Sequence, residues 1–454
     1  MAPFRSFPDF GRNQKDDTDS AQQQWWLEVL TYARDINDYV AKGMAQEWKD
    51  TGPEPKSPEL EHLAEMAIAA VRRANKSGNM EGFRDLWPPA HAPLISLLEV
   101  NGQSIPVVCI LDDGSVVARI GANHKKGKTV HIHDGKVDLL SDIGFFGRCP
   151  NGRYFGIAVE DGISIHDGWR GPRVALCPWP DGTEDIPEGF RVAPWDVAPS
   201  PSRIIPFPDG RRVLMVSESG IFVLSEDSAR RLVPTEEQLR DQFEWSVRED
   251  PGDELRMYIS MEHGAVSKDG KMIAVGSQDS CHLVFNECLE LVGEIGNLSE
   301  YPHYAVFSAD GSMIAFNSCH FYNGMTIGVP TALLPGLKTE AYEADRRFVN
   351  LNDHARVYAA AVRDDEIIIG DASGYVRAFD LKGNHRWQQF VGSSIGDIDV
   401  TMDGKTLVVS TYAGFIVRFR LDAGEQQPHQ IGSGGHLDDM RWIFWKNEPT
   451  PLRW

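Results

Sequence analysis

The stretch Ala360-Ala-Val-Arg-Asp-Asp-Glu-Ile-Ile-Ile-Gly-Asp-Ala-Ser-Gly-Tyr-Val-Arg-Ala-Phe-Asp380 is followed by Ile398-Asp-Val-Thr-Met-Asp-Gly-Lys-Thr-Leu-Val-Val-Ser-Thr-Tyr-Ala-Gly-Phe-Ile-Val-Arg-Phe-Arg-Leu-Asp422, and the two share one pattern. In each, short runs of β-branched and aromatic residues are separated by turns that contain Asp, Ser, Ala or Gly. Such runs predict antiparallel hairpins in series. Each copy therefore predicts a meander of three strands, with enough residues for a fourth.

The first turn of this pattern recurs along the chain, each time before a predicted strand. It contains Asp-Gly or Asn-Gly at six places, and Asp364-Asp365 occupies the equivalent place without a glycine; the six glycines are Gly114, Gly152, Gly210, Gly270, Gly311 and Gly404. The strands predicted after the seven turns are 115–120, 154–159, 212–217, 272–277, 313–317, 367–370 and 406–410. Successive turns are 38 to 60 residues apart, and the shortest spacings match the roughly 40 to 45 residues of a four-stranded propeller blade.

Two kinds of repeat motif accompany these turns. A Ser or Pro shortly before the glycine turn, followed by a strand, is found in four units, for example in 207–214, 266–275 and 307–316. The segment 374–387 instead combines a small residue, Asp, Gly and Trp. The first motif resembles WD40 repeats and the second resembles quinoprotein-type repeats, so residues 94 to 440 are similar to the broad β-propeller superfamily that includes both.

This resemblance implies a mainly β fold, a seven-bladed β-propeller, and implies almost nothing about activity. The chain also departs from the family pattern, because no Trp-Asp dipeptide ends a blade and no Gly-His pair opens one; Gly435-His436 comes after the last predicted blade. A quinone-dependent dehydrogenase is disfavoured, because only one unit resembles the quinoprotein type and no export signal is recognisable.

Four regions are predicted along the chain: a disordered lead-in at 1–20, an α-helical hairpin at 21–90, the propeller at 93–440 and an aromatic C-terminal segment at 441–454. The lead-in is polar and contains Pro3 and Pro8, a composition typical of disordered ends. The C-terminal segment is aromatic on both faces of any strand. It is predicted to close the ring or to dock on the helices, and a partner-binding patch is the weaker alternative.

The helical hairpin is predicted from apolar periodicity and end signals. An apolar stripe from Trp26 to Val40 has the i, i+3, i+4, i+7 spacing of a helix, which is expected to end near Asp50. Ser57 and Pro58 are typical of a helix start, and Gly78 of a helix end. A short helical turn is predicted between Met80 and Trp87.

The propeller is predicted to carry three insertions, near 170–202, 228–258 and 330–352. The first is Pro-rich and aperiodic. The second contains Thr235-x-x-Gln238, a capping box that predicts a helix over 234–245. The third combines a turn at Pro335-Gly336 with a predicted helix over 339–348.

Charge and cysteine usage restrict the functional classes. The net charge of −21 disfavours binding to nucleic-acid phosphates or anionic membranes. The chain starts without a signal-peptide pattern, and no apolar run approaches the ~20 residues of a membrane span. The six cysteines are scattered and form no Cys-x-x-Cys pair, which favours free buried thiols. We therefore expect a cytoplasmic protein with no nucleic-acid partner and no membrane insertion.

Most signatures of catalysis are absent from the sequence. There is no phosphate-binding loop, no dinucleotide fingerprint and no His-Glu-x-x-His. His131 and His133 share one face of a predicted strand, and Cys281-His282 and Cys319-His320 occupy comparable places in adjacent units. Two ligands without a third favour a structural role over a metal site. No catalytic residue, cofactor or metal site is predicted. The sequence favours a protein that is not an enzyme over one that is.

Three functional hypotheses remain, and in one of them the N-terminal helical hairpin, rather than the propeller, contacts a larger bacterial assembly. The favoured one is a scaffold or binding subunit of an intracellular complex that recognises a protein partner through loops held on a rigid frame, and the acidic charge favours a basic partner. The candidates for partner contact are Trp25, Trp179, Trp195, Trp442 and Trp445. The alternative is an enzyme or small-ligand sensor with its site in the central channel. A ligand site predicts convergent polar groups with shifted pKa values there, whereas a scaffold predicts an apolar patch on a rim.

Overall fold

A computed structural model describes residues 16–46, 49–80, 82–252 and 254–454. The described chain divides into two compact units. One contains the described residues up to Val100 together with Gln427–Ile431 and Leu452–Trp454, and the other contains Asn101–Gln426 and Gly432–Pro451. The first unit is mainly helical and the second is mainly β.

The helices of the N-terminal region are α1 (Asp16–Ala45), α2 (Ala64–Ser77), α3 (Phe83–Leu86) and α4 (Ile95–Asn101). Short 3-10 turns at Glu61–Leu63 and Ala92–Leu94 precede α2 and α4. The buried face of α2 is formed by small and aliphatic residues, including Ala67, Ile68 and Val71. This face supplies the apolar area that fixes a short helix in place.

The helix ends differ from the predicted ones in several places. Helix α1 begins at Asp16, inside the range predicted as lead-in, because no Pro or Gly interrupts the sequence between Gly11 and Gly43; residues 1–15 lie outside the described residues. It ends at Ala45, before the predicted end. The predicted start of the second helix at Ser57 and Pro58 is wrong, whereas the predicted stop at Gly78 is confirmed by its left-handed φ of 74°.

Each of the seven blades of the described propeller is built on four antiparallel strands, which are consecutive except in blade 5, where a short insertion strand intervenes. Blade 1 contains β1–β4 (Val107–Ile110, Val116–Ile120, Lys128–His133, Lys136–Leu140). Blade 2 contains β5–β8 (Phe146–Arg148, Tyr154–Val159, Gly162–Asp167, Arg173–Pro178). Blade 3 contains β9–β12 (Pro201–Pro206, Val213–Ser217, Gly220–Leu224, Ala229–Val233), and α5 (Glu236–Glu249) follows it.

Blade 4 contains β13–β16 (His263–Val266, Met272–Gly276, His282–Asn286, Leu291–Ile295). Blade 5 contains β17–β19 (Tyr301–Phe307, Met313–His320, Asn323–Pro330) and β21 (Val349–Asp353), while the intervening β20 (Leu337–Lys338) pairs in parallel with β16 of blade 4. Blade 6 contains β22–β25 (Val357–Arg363, Glu366–Asp371, Tyr375–Asp380, His385–Phe390). Blade 7 contains β26–β29 (Ile395–Val400, Thr406–Thr411, Phe415–Arg420, Leu437–Ile443). A last short strand, β30 (Leu452–Arg453), belongs to the helical unit.

The first strand of each blade lies next to the first strands of its two neighbours. The order of contact is β1, β5, β9, β13, β17, β22 and β26, and β26 contacts β1 again. The ring is therefore closed by packing of blade 7 on blade 1, without exchange of a strand between them. Apolar side chains of both blades form one core cluster there, which includes Val108, Ile110, Val408 and Trp442.

The mainly β, seven-bladed architecture with N-terminal helices is confirmed. The second strand of every blade begins within one residue of its predicted position, and the glycines of the six Gly-containing turns have φ between 68° and 81°. The capping box of α5 is also confirmed: the Thr235 side chain accepts from the Gln238 N–H, and the Gln238 side chain accepts from the Thr235 N–H.

Three predictions within the propeller are wrong. The chain does not become β at Pro93, since α4 intervenes and β1 begins at Val107. Residues 339–348 form turns and not a helix, and the preceding β20 is held by the edge of blade 4. Gly435-His436 does not follow the last blade, since the outer strand β29 comes after it.

Within the described ranges, no helix combines the length and apolar character that crossing a membrane requires.

Candidate functional site

The first strands of all seven blades line a central channel that contains a cavity of about 400 Å³. This volume lies within the range of small-molecule pockets. Most of the lining consists of aliphatic side chains and backbone atoms. The strands also contribute a few charged or hydroxyl-bearing side chains, which include Arg148, Arg203, Tyr304, Asp397 and Asp399. These polar groups come from four blades and are brought together only by closure of the ring.

Two carboxylates on β26 of blade 7 accept hydrogen bonds from the backbone of β1. Asp397 Oδ2 accepts from the Val108 N–H at 2.9 Å, and Asp399 Oδ2 accepts from the Ile110 N–H at 2.6 Å. Because residues two apart on a strand lie on the same face, both side chains reach β1. The side chains of blade 7 thereby take the place of main-chain acceptors at the seam of the ring.

Asp399 is also an ion-pair partner. Its Oδ1 accepts from the guanidinium of Arg148, which in turn donates to the Ile110 carbonyl at 2.7 Å. Burial raises the pKa of Asp399, and the charge of Arg148 opposes that rise. The Arg148 charge is therefore largely balanced within the channel wall.

The neighbouring Asp397 has no such ion pair. Burial raises its pKa to about 6, against the opposing charge of Arg203 and the hydrogen bond from Val108. The described part of the chain holds no Arg or Lys nitrogen within 4.0 Å of the Asp397 carboxylate. Asp397 can therefore change its protonation state near neutral pH.

Arg203 lies opposite, on β9 of blade 3. Its guanidinium stacks over the Tyr304 ring at 4.9 Å and donates to the Tyr358 carbonyl at 3.5 Å. Tyr304 is held in turn, because its hydroxyl oxygen accepts from the Ala360 N–H at 3.0 Å. Among the described residues, no carboxylate oxygen lies within 4.0 Å of the Arg203 guanidinium.

Three buried histidines occupy neighbouring positions in blades 4 and 5. His263 and His282 are 3.2 Å apart between ring nitrogens, and His282 contacts the Ser318 hydroxyl. His303 Nδ1 donates to the Val357 carbonyl, and its Nε2 faces the guanidinium of Arg356. Burial lowers the pKa of His263 to about 4 and that of His303 to about 3. These imidazoles are neutral at physiological pH, so they serve as polar core rather than as proton carriers.

The most exposed aromatic side chains lie at the tip of one hairpin. Strands β18 and β19 pair over their full length of eight residues, and the two-residue turn between them is Phe321-Tyr322. Both rings are 72% exposed. Phe321 has a φ of 49°, a left-handed conformation that is unusual for a bulky residue. The Phe321 carbonyl is fixed by the Arg356 guanidinium at 3.0 Å.

The tryptophans predicted as partner contacts fall into two groups. Trp25, Trp442 and Trp445 are buried. The Trp25 indole N–H donates to the Pro88 carbonyl and its ring packs on Trp87, whose carbonyl accepts from the Trp454 indole. Trp442 belongs to the core cluster between blades 7 and 1.

The other two, Trp179 and Trp195, are half-buried in the loop after β8. The Trp179 N–H is directed at the Val159 and Glu160 carbonyls. Trp195 packs edge-on against Phe222 and lines a second cavity of about 470 Å³. Only these two of the five tryptophans have surface available to a partner.

The predicted histidine and cysteine pairs make structural contacts, either hydrogen bonds or packing in the core. His131 contacts the Ser115 hydroxyl at 2.8 Å, and His133 contacts Asp138 at 2.6 Å. Cys319 is buried, and burial raises the pKa of its thiol. Within the residues that the structure describes, no group of three or more His, Cys, Asp or Glu side chains is arranged to hold a metal ion.

Comparison with known proteins identifies no family for this chain. No family model matches the chain, and no curated protein matches it. Solved structures do match, among them the crystal structure of the computationally designed Ika8 protein, which is 12% identical over 71% of this chain and 98% of that chain, with a TM-score of 0.42. A similarity of that size carries no argument about function.

Proposed function

We propose that the protein is a non-catalytic binding subunit that recognises a protein partner through the tip of the β18–β19 hairpin. The carrying observation is the exposure of Phe321 and Tyr322 side by side on a protruding turn. Aromatic side chains are enriched at protein interfaces, and Tyr is among the residues that contribute most to binding energy there. The tip combines such anchors with a rigid, fully paired hairpin, which lowers the entropic cost of binding.

The backbone of the tip supports the same proposal. Turns of two residues usually contain Gly, Asn or Asp where φ is positive, yet this turn has Phe321 at that place. A strained residue is a reason to look for function, since a less costly side chain was available. The contact from Arg356 to the Phe321 carbonyl holds the turn in this conformation.

A basic partner suits the charge of the protein. The net charge is −21, and Glu300 lies beside the hairpin, where it pairs with His320. Association with a basic surface would be fast and would weaken with added salt. Trp179 and Trp195 are secondary candidates for contact.

The repeat class and the compartment belong to the same proposal. The Ser or Pro before the turns of blades 3, 4 and 5 supports a WD40-like origin, and the Gly and Trp of blade 6 support a quinoprotein-like one. The free thiols of the six cysteines support action in the reducing cytoplasm, as a scaffold within an intracellular complex.

The test compares affinity purification from the native source with three baits: the wild type, the double variant F321S/Y322S and the control L139S. Leu139 is also exposed and apolar but lies on the outer strand β4. The wild type and the control are expected to recover one stoichiometric protein that the double variant loses. Titration of that purified protein should show affinity at least tenfold lower for the double variant. Equal recovery and affinity for all three baits would disprove the proposal.

A further inference from the structure

The central channel contains an arginine, Arg203, to which the described residues bring no carboxylate oxygen within 4.0 Å. Of the arginines in the channel lining, Arg148 is paired with Asp399, and Arg363 is paired with Glu366 at 3.2 Å and with Asp422. Arg203 stacks over the Tyr304 ring, donates to the Tyr304 hydroxyl oxygen and makes a long hydrogen bond to the Tyr358 carbonyl. A guanidinium has five N–H donors, so most of the donors of Arg203 remain available to a molecule in the cavity.

Tyr304 adds a second donor at the same place. Its hydroxyl oxygen accepts from the Ala360 N–H, so its own proton is free to be donated elsewhere. The side chain is buried in the channel wall and touches Arg203. A fork of N–H groups and one O–H group thus line the same cavity of about 400 Å³.

The charge of the channel lining contrasts with that of the whole protein. The lining contains Arg148, Arg203, Lys268 and Arg363 against Asp364, Asp397 and Asp399, whereas the complete chain has a net charge of −21. Anions are therefore repelled by most of the surface but not by the channel. The low-polarity surroundings of the buried groups strengthen any pairing made inside it.

We propose that the channel binds a small organic carboxylate, held by the Arg203 guanidinium and the Tyr304 hydroxyl. The planar fork of arginine matches a carboxylate with two parallel hydrogen bonds. A phosphate dianion would need a second cation beside Arg203, whereas Arg148 is paired with Asp399 and the side chain of Lys268 is exposed. Aliphatic residues such as Val306 and Ile398 line the same cavity and suit the carbon chain of such a ligand.

Asp397 couples ligand binding to the uptake of a proton. The groups that face it are Arg203 on β9, the Val108 amide on β1, Tyr304 on β17 and, on its own strand, Asp399. Burial raises the pKa of Tyr412, which follows β27, and the charge of Asp397 raises it further. A carboxylate placed beside Asp397 raises the pKa of that residue further above 6. Binding near pH 7 is therefore accompanied by uptake of a proton, after which the Asp397 carboxyl donates to the ligand.

Isothermal titration of the full chain with acetate, pyruvate, malonate and citrate tests the proposal, with acetamide and inorganic phosphate as comparisons. At least one carboxylate is expected to bind with Kd below about 1 mM, and acetamide is not. The Arg203→Gln variant should bind at least tenfold more weakly, while Arg211→Gln, which removes an exposed arginine of the same blade, should bind as the wild type does.

Two further measurements keep the test decisive if Arg203→Gln does not fold. Arg203→Lys keeps the charge but loses the fork, so affinity should fall severalfold with the fold intact. Titration in two buffers with different ionisation enthalpies should show proton uptake, which Asp397→Asn abolishes. The proposal is overturned if no carboxylate binds, if phosphate binds and no carboxylate does, or if affinity survives the loss of the Arg203 fork. The inference is independent of the proposed protein interaction.

Discussion

Asp397 and Asp399 are two residues apart on one strand, yet they are in different electrostatic situations. Both accept a backbone N–H from β1. Asp399 has Arg148 as a close partner, whereas Asp397 has only the more distant Arg203. The same substitution at the two positions should therefore change stability in opposite directions.

Asp397→Asn is expected to stabilise the protein above pH 6. Burial raises the pKa of Asp397 from an ordinary 3.8 to about 6, so between these values the folded state binds a proton that the unfolded state has lost. The contribution of Asp397 to the free energy of unfolding therefore falls as the pH rises from 3.8 to about 6. Above that pH the ionised carboxylate lowers the free energy of unfolding by about 3 kcal/mol. Asparagine keeps an acceptor for Val108 without that cost. Chemical denaturation at pH 8 and pH 4.5 should show the gain at pH 8 and little of it at pH 4.5.

The matched variant Asp399→Asn serves as the control. It also keeps an acceptor for the Ile110 N–H, but it leaves the buried Arg148 charge without its partner. Loss of one member of a buried pair costs roughly 3 kcal/mol. A gain in stability for Asp399→Asn, or a loss for Asp397→Asn at pH 8, would contradict this account.

At the scale of elements, substitutions at the tip of the β18–β19 hairpin should change partner affinity without lowering the stability of the fold. Phe321 has a φ of 49° and an exposed ring, so its side chain contributes strain and little packing. Asparagine adopts this conformation more readily. Phe321→Asn is expected to leave the free energy of unfolding unchanged or to raise it by up to about 1 kcal/mol, while partner affinity falls. Thermal denaturation and partner titration together check this, and a clear loss of stability would be evidence against a strained turn.

The accuracy of sequence-based prediction differed between elements for physical reasons. The second strand of each blade was predictable because its position depends on the turn before it, and turn chemistry is local. The α5 capping box was predictable on the same grounds. The absence of a helix at 339–348 could not be predicted, because β20, just before this segment, pairs with a strand more than 40 residues earlier. Arg203 and Asp397 were missed because only ring closure brings β9 and β26 together, although paired aspartates on a buried strand were a visible signal.

At the scale of the whole molecule, the ring must close without a shared strand. Blades 1 and 7 each contain four of their own consecutive strands, so their contact depends on packing and on a few hydrogen bonds. Besides the two aspartates, Ser410 Oγ donates to the Ile105 carbonyl at 2.7 Å, and the Ile105 N–H donates to the Thr411 carbonyl. The segment just before β1 is thereby fixed against blade 7.

Gly396 makes this close approach possible, and its substitution tests how the ring closes. A Cβ added at Gly396 would lie 2.2 Å from the Ile105 carbonyl oxygen, whereas a Cβ at Gly144 would have no atom within 4 Å. Neither glycine has a positive φ, so alanine differs between the two sites only in available space. Gly396→Ala is expected to lower the free energy of unfolding by about 2 to 3 kcal/mol or more, since the backbone of Ile105 must shift. Gly144→Ala should change it by less than about 0.5 kcal/mol. Equal stability of the two variants in urea denaturation would mean that blade 7 does not meet blade 1 at Ile105.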